Sequence, residues 1–107
     1  MFGVRQSAAA GIFYNAEKNE LVKEIELSFK HKFGPKKLKS RNPIAVVSPH
    51  DRYHLSGAIA AWAYSVIEPT NYIIIGANHN NLGSEFSIMR EGLWKTPLGE
   101  VAIGSKL

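Results

Sequence analysis

Two short β-branched runs, Ile44-Ala45-Val46-Val47 and Tyr72-Ile73-Ile74-Ile75, constrain this chain more than anything else in it. Runs so brief and so uniformly apolar read as buried strands rather than as amphipathic helices. Each breaks abruptly into turn formers and a histidine: Ser48-Pro49-His50 after the first, Gly76-Ala77-Asn78-His79-Asn80 after the second. The segment between them, Ser56 to Ile67, has the length of a crossover helix. Ser56 can cap it, Gly57 permits close contact with a sheet, and Ala58, Ala60, Ala61 and Ala63 give it a thin surface, with Trp62 and Ile59 or Val66 for bulk. The pattern predicts a βαβ unit. Sites in open α/β sheets lie beyond the carboxyl ends of the strands, so His50 and His79 are expected on one rim.

Upstream, Asn15 as a cap, Leu21, Ile25 and Phe29 on one face, and the stop signal Gly34-Pro35 predict an amphipathic helix. Glu26 and Lys30 are placed to pair on another face of it. The small-residue stretch Ser7 to Gly11 leads into Phe13 and Tyr14, which are expected to anchor the N-terminal segment on the core. Downstream, Phe86–Met89, Leu93–Thr96 and Val101–Ile103 read as short extended pieces, with turn signals at Glu91-Gly92 and Pro97 to Glu100. The fold class expected is α/β: a βαβ core with short peripheral strands, in a single domain over residues 1–107. That is few strands for a sheet buried on both faces, and an exposed edge is a template for pairing. A homo-oligomer or a partner chain is therefore expected.

Lys30, Lys32, Lys36, Lys37, Lys39 and Arg41 supply six of the 13 basic side chains. With a net charge of +4, they allow attraction to polyanions. Only Phe33 is at hand for stacking, however, so the run reads as a solvated loop and nucleic acid is not the expected partner. No cysteine is present, which excludes disulfides, thiolate ligands and cysteine nucleophiles within the sequence. Its longest apolar run, Ala58 to Tyr64, is too short to cross a bilayer, and Met1 to Ala10 lacks the hydrophobic segment of a secretory signal. A cytoplasmic protein is expected, and no glycine fingerprint for nucleotides occurs.

Two imidazoles on one rim suit iron, copper or zinc. They fall short of the three or four ligands of a tight site. Asp51 and His54 are the nearest candidates for a third, although Asp51 can equally pair with Arg52 or cap the coming helix. Tyr53 can donate at the rim or pack in the core, and Asn78 can orient His79 from behind. Arg52 beside the histidines can instead hold an anionic group, such as a phosphate or carboxylate.

Five segments in register carry a resemblance: Ala10-Gly11-Ile12-Phe13-Tyr14; Ser48-Pro49-His50 with Tyr53 and Ser56-Gly57; Ala60-Ala61 with Ala63-Tyr64; Ile74-Ile75-Gly76-Ala77-Asn78-His79; and Trp94-Lys95-Thr96-Pro97-Leu98-Gly99. With them the chain resembles the N-terminal portion of the Memo family, whose bacterial and archaeal members are often called AmmeMemoRadiSam system protein B. The resemblance implies a fold like the class III extradiol dioxygenases, non-haem iron enzymes with two histidines and a glutamate on the metal. In Memo-type proteins the corresponding pocket resembles a two-histidine, one-cysteine site, with copper-linked redox chemistry and phosphopeptide binding among the implied roles. His50 and His79 match the two histidine positions. The third ligand falls outside the matched portion, and Asp51-Arg52 stands where the family typically has Ala-Gly.

Overall fold

The computed structural model describes residues 3–104. Its first helix, α1 (Lys18–Lys30), starts at Glu17, whose carboxylate accepts from the Glu20 amide at 3.0 Å. That contact, reinforced by the Asn19 amide, holds the Glu17 carboxyl below its ordinary pKa. Asn15 is therefore not the cap. Its Oδ1 accepts from the Glu17 amide at 2.9 Å, which organises the turn leading into the helix. The predicted stripe forms: Leu21 is buried, and Ile25 and Phe29 are half-buried. Glu26 and Lys30 pair at 3.4 Å, but exposed pairs of this kind contribute no more than about 0.5 kcal/mol. At the end of the helix a Cβ on Gly34 would lie 2.4 Å from the Ser28 carbonyl oxygen, so only glycine fits there.

The second helix, α2 (Tyr53–Ser65), begins three residues before the expected Ser56. Ser56 is inside its first turn, where Oγ donates to the carbonyls of Asp51 and Arg52 at 3.2 and 3.4 Å. The Tyr53 amide, left without an intrahelical partner, donates to Phe13 O at 2.9 Å. Gly57, Ala61 and Ser65 form the buried face, one turn apart. A Cβ on Gly57 would meet Ser28 Oγ at 2.3 Å, so the close approach that glycine permits is to α1 and not to a sheet.

The basic linker has a structural task. Lys39 and Ser40 amides donate to Ser65 O at 2.6 and 3.2 Å, and the Arg41 amide donates to Val66 O at 2.9 Å. Trp62 Nε1 reaches Phe33 O at 2.7 Å while Lys39 Nζ lies 4.3 Å over the Trp62 ring. Lys36 Nζ donates to the Lys30 and His31 carbonyls at the end of α1. Positive charge is thus gathered where both helices end, the place that the helix dipole favours.

The sheet has three strands in the order β1 (Val4–Arg5), β2 (Leu93–Thr96) and β3 (Gly99–Ala102). β1 runs parallel to β2, and β2 runs antiparallel to β3. Gly92, with φ +115°, lets β1 close in: a Cβ there would lie 2.3 Å from Gly3 O. The fold is α/β, and its strands are peripheral ones.

Three expected strands do not form. Phe86–Met89 joins no ladder, nor does either run of the expected βαβ core. Among the described residues, Ile44–Val47 and Tyr72–Ile75 make no backbone-to-backbone hydrogen bonds. Ile44, Val47 and Ile75 are 107%, 98% and 93% exposed. The reason is physical: such a strand pair needs backbone partners at its edges and cover on both faces. Here the small-residue face of α2 is spent on α1. Among the described residues no helix is long and apolar enough to cross a membrane.

Candidate metal centre

The two apolar runs do not pair, yet the segments that follow them meet. His50 and His79 bring their Nε2 atoms to 3.1 Å, with ring centroids 5.2 Å apart and planes tilted by 45°. On the first segment, Ser48 Oγ donates to the Pro49 carbonyl at 3.1 Å, and Asp51 Oδ1 accepts from the Arg52 amide at 2.6 Å. On the second, Asn78 Nδ2 donates to Leu82 O at 3.0 Å, closing the turn that carries His79. Asn78 therefore holds the loop, and among the described residues its side-chain hydrogen bond goes to Leu82 O and not to the imidazole.

The separation can be tested against coordination. Two imidazole nitrogens at about 2.0–2.1 Å from one ion, at angles between square and tetrahedral, lie about 2.8–3.4 Å apart. The observed 3.1 Å falls inside that range. It also suits a single N–H···N hydrogen bond between neutral imidazoles. The donor set fits a borderline metal ion and is incomplete. Among the described residues no group of three or more histidine, cysteine, aspartate or glutamate side chains is placed to hold a metal.

The structure does not bring the other expected residues to the pair. Asp51 is turned onto its own backbone. His54, in the first turn of α2, lines a shallow open depression of about 380 Å³ together with Tyr14, Glu24 and the Gly11–Ala16 loop. Tyr53 packs its ring on Tyr14 at 5.3 Å; burial, and then the neighbouring Tyr64, Tyr14 and Glu24 charges, push its pKa up. Arg52 lies with Cζ 5.8 Å from the Phe13 ring centroid and has no carboxylate partner among the described residues. Phe13 is the neighbour that sequence reasoning assigned only to anchoring. Its carbonyl and its ring both hold the segment directly after His50. Spacing carries no signal for that contact.

The model of the Memo-like protein family matches residues 5–107. The chain belongs to the Memo family. A MEMO1 family protein of Pyrobaculum arsenaticum is 42% identical over 112 residues, covering 97% of this chain and 40% of the relative. Those of Thermotoga maritima and Methanopyrus kandleri are 41% and 42% identical, covering 95% of this chain and 41% and 39% of theirs. The chain thus spans about two-fifths of the length of the curated relatives it matches. No solved structure matches it.

Proposed function

We propose that this Memo-like chain holds a metal ion, iron, copper or zinc, between His50 and His79, as part of a site whose remaining ligands lie outside the described residues. The observation that carries the reading is the 3.1 Å approach of the two Nε2 atoms from segments 29 positions apart. Imidazole nitrogens suit all three metals. A bound ion would supply Lewis-acid activation or, as iron or copper, one-electron redox chemistry. The chain's own contribution is placement: the Asp51–Arg52 and Asn78–Leu82 contacts fix the two loops that present the imidazoles.

Metal content of the purified protein, before and after reconstitution, tests this. Near-stoichiometric metal that is lost in a His50→Ala, His79→Ala double variant is the expected result. His79→Ala alone should weaken affinity at least about tenfold, roughly 1.4 kcal/mol. Unchanged affinity would remove His79 from the site, and no binding in the parent chain would end the metal reading.

A second reading, a non-catalytic module for a phosphorylated or other anionic ligand, is favoured by Arg52, which rests on Phe13 without a carboxylate partner among the described residues. Titration with inorganic phosphate in the absence of metal, followed by NMR shifts at Arg52, separates the two.

A further inference from the structure

We propose that the basic segment after α1, together with the last turns of α2, binds single-stranded nucleic acid, with bases stacked on Phe33 and Trp62 and phosphates held by Lys32, Lys37, Lys39 and Arg41. The inference is independent of the metal reading. Trp62 lies nine residues along α2 from Tyr53, about 14 Å at 1.5 Å per residue, and His50 precedes that start.

In sequence the basic run has one ring at hand, and the fold supplies more. Trp62, 29 positions from Phe33, donates its Nε1 proton to Phe33 O at 2.7 Å, and Lys39 Nζ lies 4.3 Å from the centroid of its ring. The His31 ring lies 5.5 Å from that of Phe33, which Lys32 Nζ approaches to 4.9 Å. Phe33 and Trp62 are 62% and 43% exposed. Rings interleaved with cations are the means of sequence-tolerant binding to single strands: the rings take base faces and the cations take phosphates. Lys32 and Lys39 each stand beside a ring, so a base on that ring brings its phosphate within reach of the ammonium.

Charge and order both favour this occupant. Residues 27–50 contain no aspartate or glutamate. Glu26 is paired with Lys30, and the Glu68 carboxylate accepts from Ser40 Oγ. The end of α1 accounts for Lys36, whose Nζ donates to the Lys30 and His31 carbonyls. It does not account for Lys32, Lys37, Lys39 and Arg41, which have no carboxylate partner among the described residues. An anionic lipid surface also attracts lysines, but aromatic side chains enter it by turning outward. Here Trp62 is held by its N–H, and the Lys39, Ser40 and Arg41 amides are tied to the Ser65 and Val66 carbonyls. A platform already in place suits stacking, because less ordering remains to be done on binding.

The test is fluorescence anisotropy of a labelled oligothymidylate of about 12 nucleotides, titrated with the chain in about 50 mM salt. The expected dissociation constant is about 10 μM or tighter, rising about fiftyfold at about 200 mM salt, as four phosphate contacts on a single strand require. An abasic strand of equal length should bind at least about fivefold more weakly, since it offers phosphates without bases. Lys37→Glu combined with Arg41→Glu should weaken binding at least about tenfold. Phe33→Leu, which keeps an apolar side chain and removes the ring, should weaken it at least about fivefold, and Phe33→Tyr should restore it. The His50→Ala, His79→Ala variant should bind as the parent does. Helical circular dichroism checks that each variant is folded.

Absence of binding at about 100 μM chain overturns the proposal. Equal affinity for the abasic strand overturns it as well, and that comparison needs no variant. So does unchanged affinity in the charge-reversed or the Phe33→Leu chain. Vesicles of phosphatidylserine and phosphatidylcholine supply the last control: binding to them without binding to oligothymidylate overturns the proposal in favour of a membrane surface.

Discussion

The helical pair and the two apolar runs begin from similar material and end in opposite conditions. In α1 and α2, Leu21, Ala61 and Ser65 are 3%, 3% and 0% exposed, and even Gly57 is covered by Ser28. In the runs, isoleucine and valine face solvent. A helix satisfies its backbone hydrogen bonds within its own segment, so one covering neighbour stabilises it. A strand depends on other segments for every ladder bond. The β2–β3 hairpin shows the intermediate case, since each strand finds its partner across the short Pro97–Leu98 turn. What separates the regions is the sequence distance at which a partner is available.

Removing packing from the helical side gives the largest effect expected. Leu21→Ala should cost about 3 kcal/mol, lost transfer energy plus a cavity, read as a lower urea midpoint. A loss below about 1 kcal/mol would mean that α1 and α2 are not the stabilising unit, and the contrast with the runs would collapse. Gly92→Ala comes next, at about 2 kcal/mol, because Gly92 combines a positive φ with a close carbonyl. The loss should appear as faster exchange at β1 and β2 while the helices keep their protection. Uniform loss everywhere would show instead that the sheet and the helices unfold together.

The same contrast explains what could be read from the residues. The stripe Leu21, Ile25, Phe29 and the stop at Gly34-Pro35 located α1 because helix periodicity and capping are local. The Leu93–Thr96 strand and its turn were legible for the same reason. The helix after His50 was legible as an element, but its cover was not. Gly57 and the alanines fit a sheet as well as a helix, and only the structure distinguishes them. The pairing of His50 with His79 followed from two matching breaks in pattern. The partners of Asp51, His54 and Asn78 did not follow, because turn residues choose among nearby backbone groups that spacing cannot rank. Phe13 lay beyond reach altogether, since its contact with Arg52 joins segments related only through the fold.

Tyr53 tests how far the packed region extends toward the histidines. Burial raises its phenol pKa above the ordinary 10.0, so the folded state prefers the neutral ring. With the folded pKa above the unfolded one, this contribution is fully present below pH about 10 and is lost as pH rises through the folded pKa. Tyr53→Phe should therefore flatten the alkaline loss of stability above pH about 10 and leave neutral pH little changed. An unaltered alkaline limb would mean that the Tyr14–Tyr53 contact is open in solution and that packing stops short of the site.

The smallest expected effect bears most directly on the comparison. Ile75→Ser and Val47→Ser remove apolar groups that are almost fully exposed, so each should change the stability of the isolated chain by no more than about 0.5 kcal/mol. A core isoleucine reduced to serine would cost several times as much. Urea unfolding of either variant decides the matter. A loss above about 1 kcal/mol would show the runs packed in solution, by a second copy or by a rearrangement of the chain. A null result would show that the runs contribute nothing to packing in the isolated chain. These β-branched segments would then do nothing for the stability of the chain that carries them, because exposed side chains have no packing to lose.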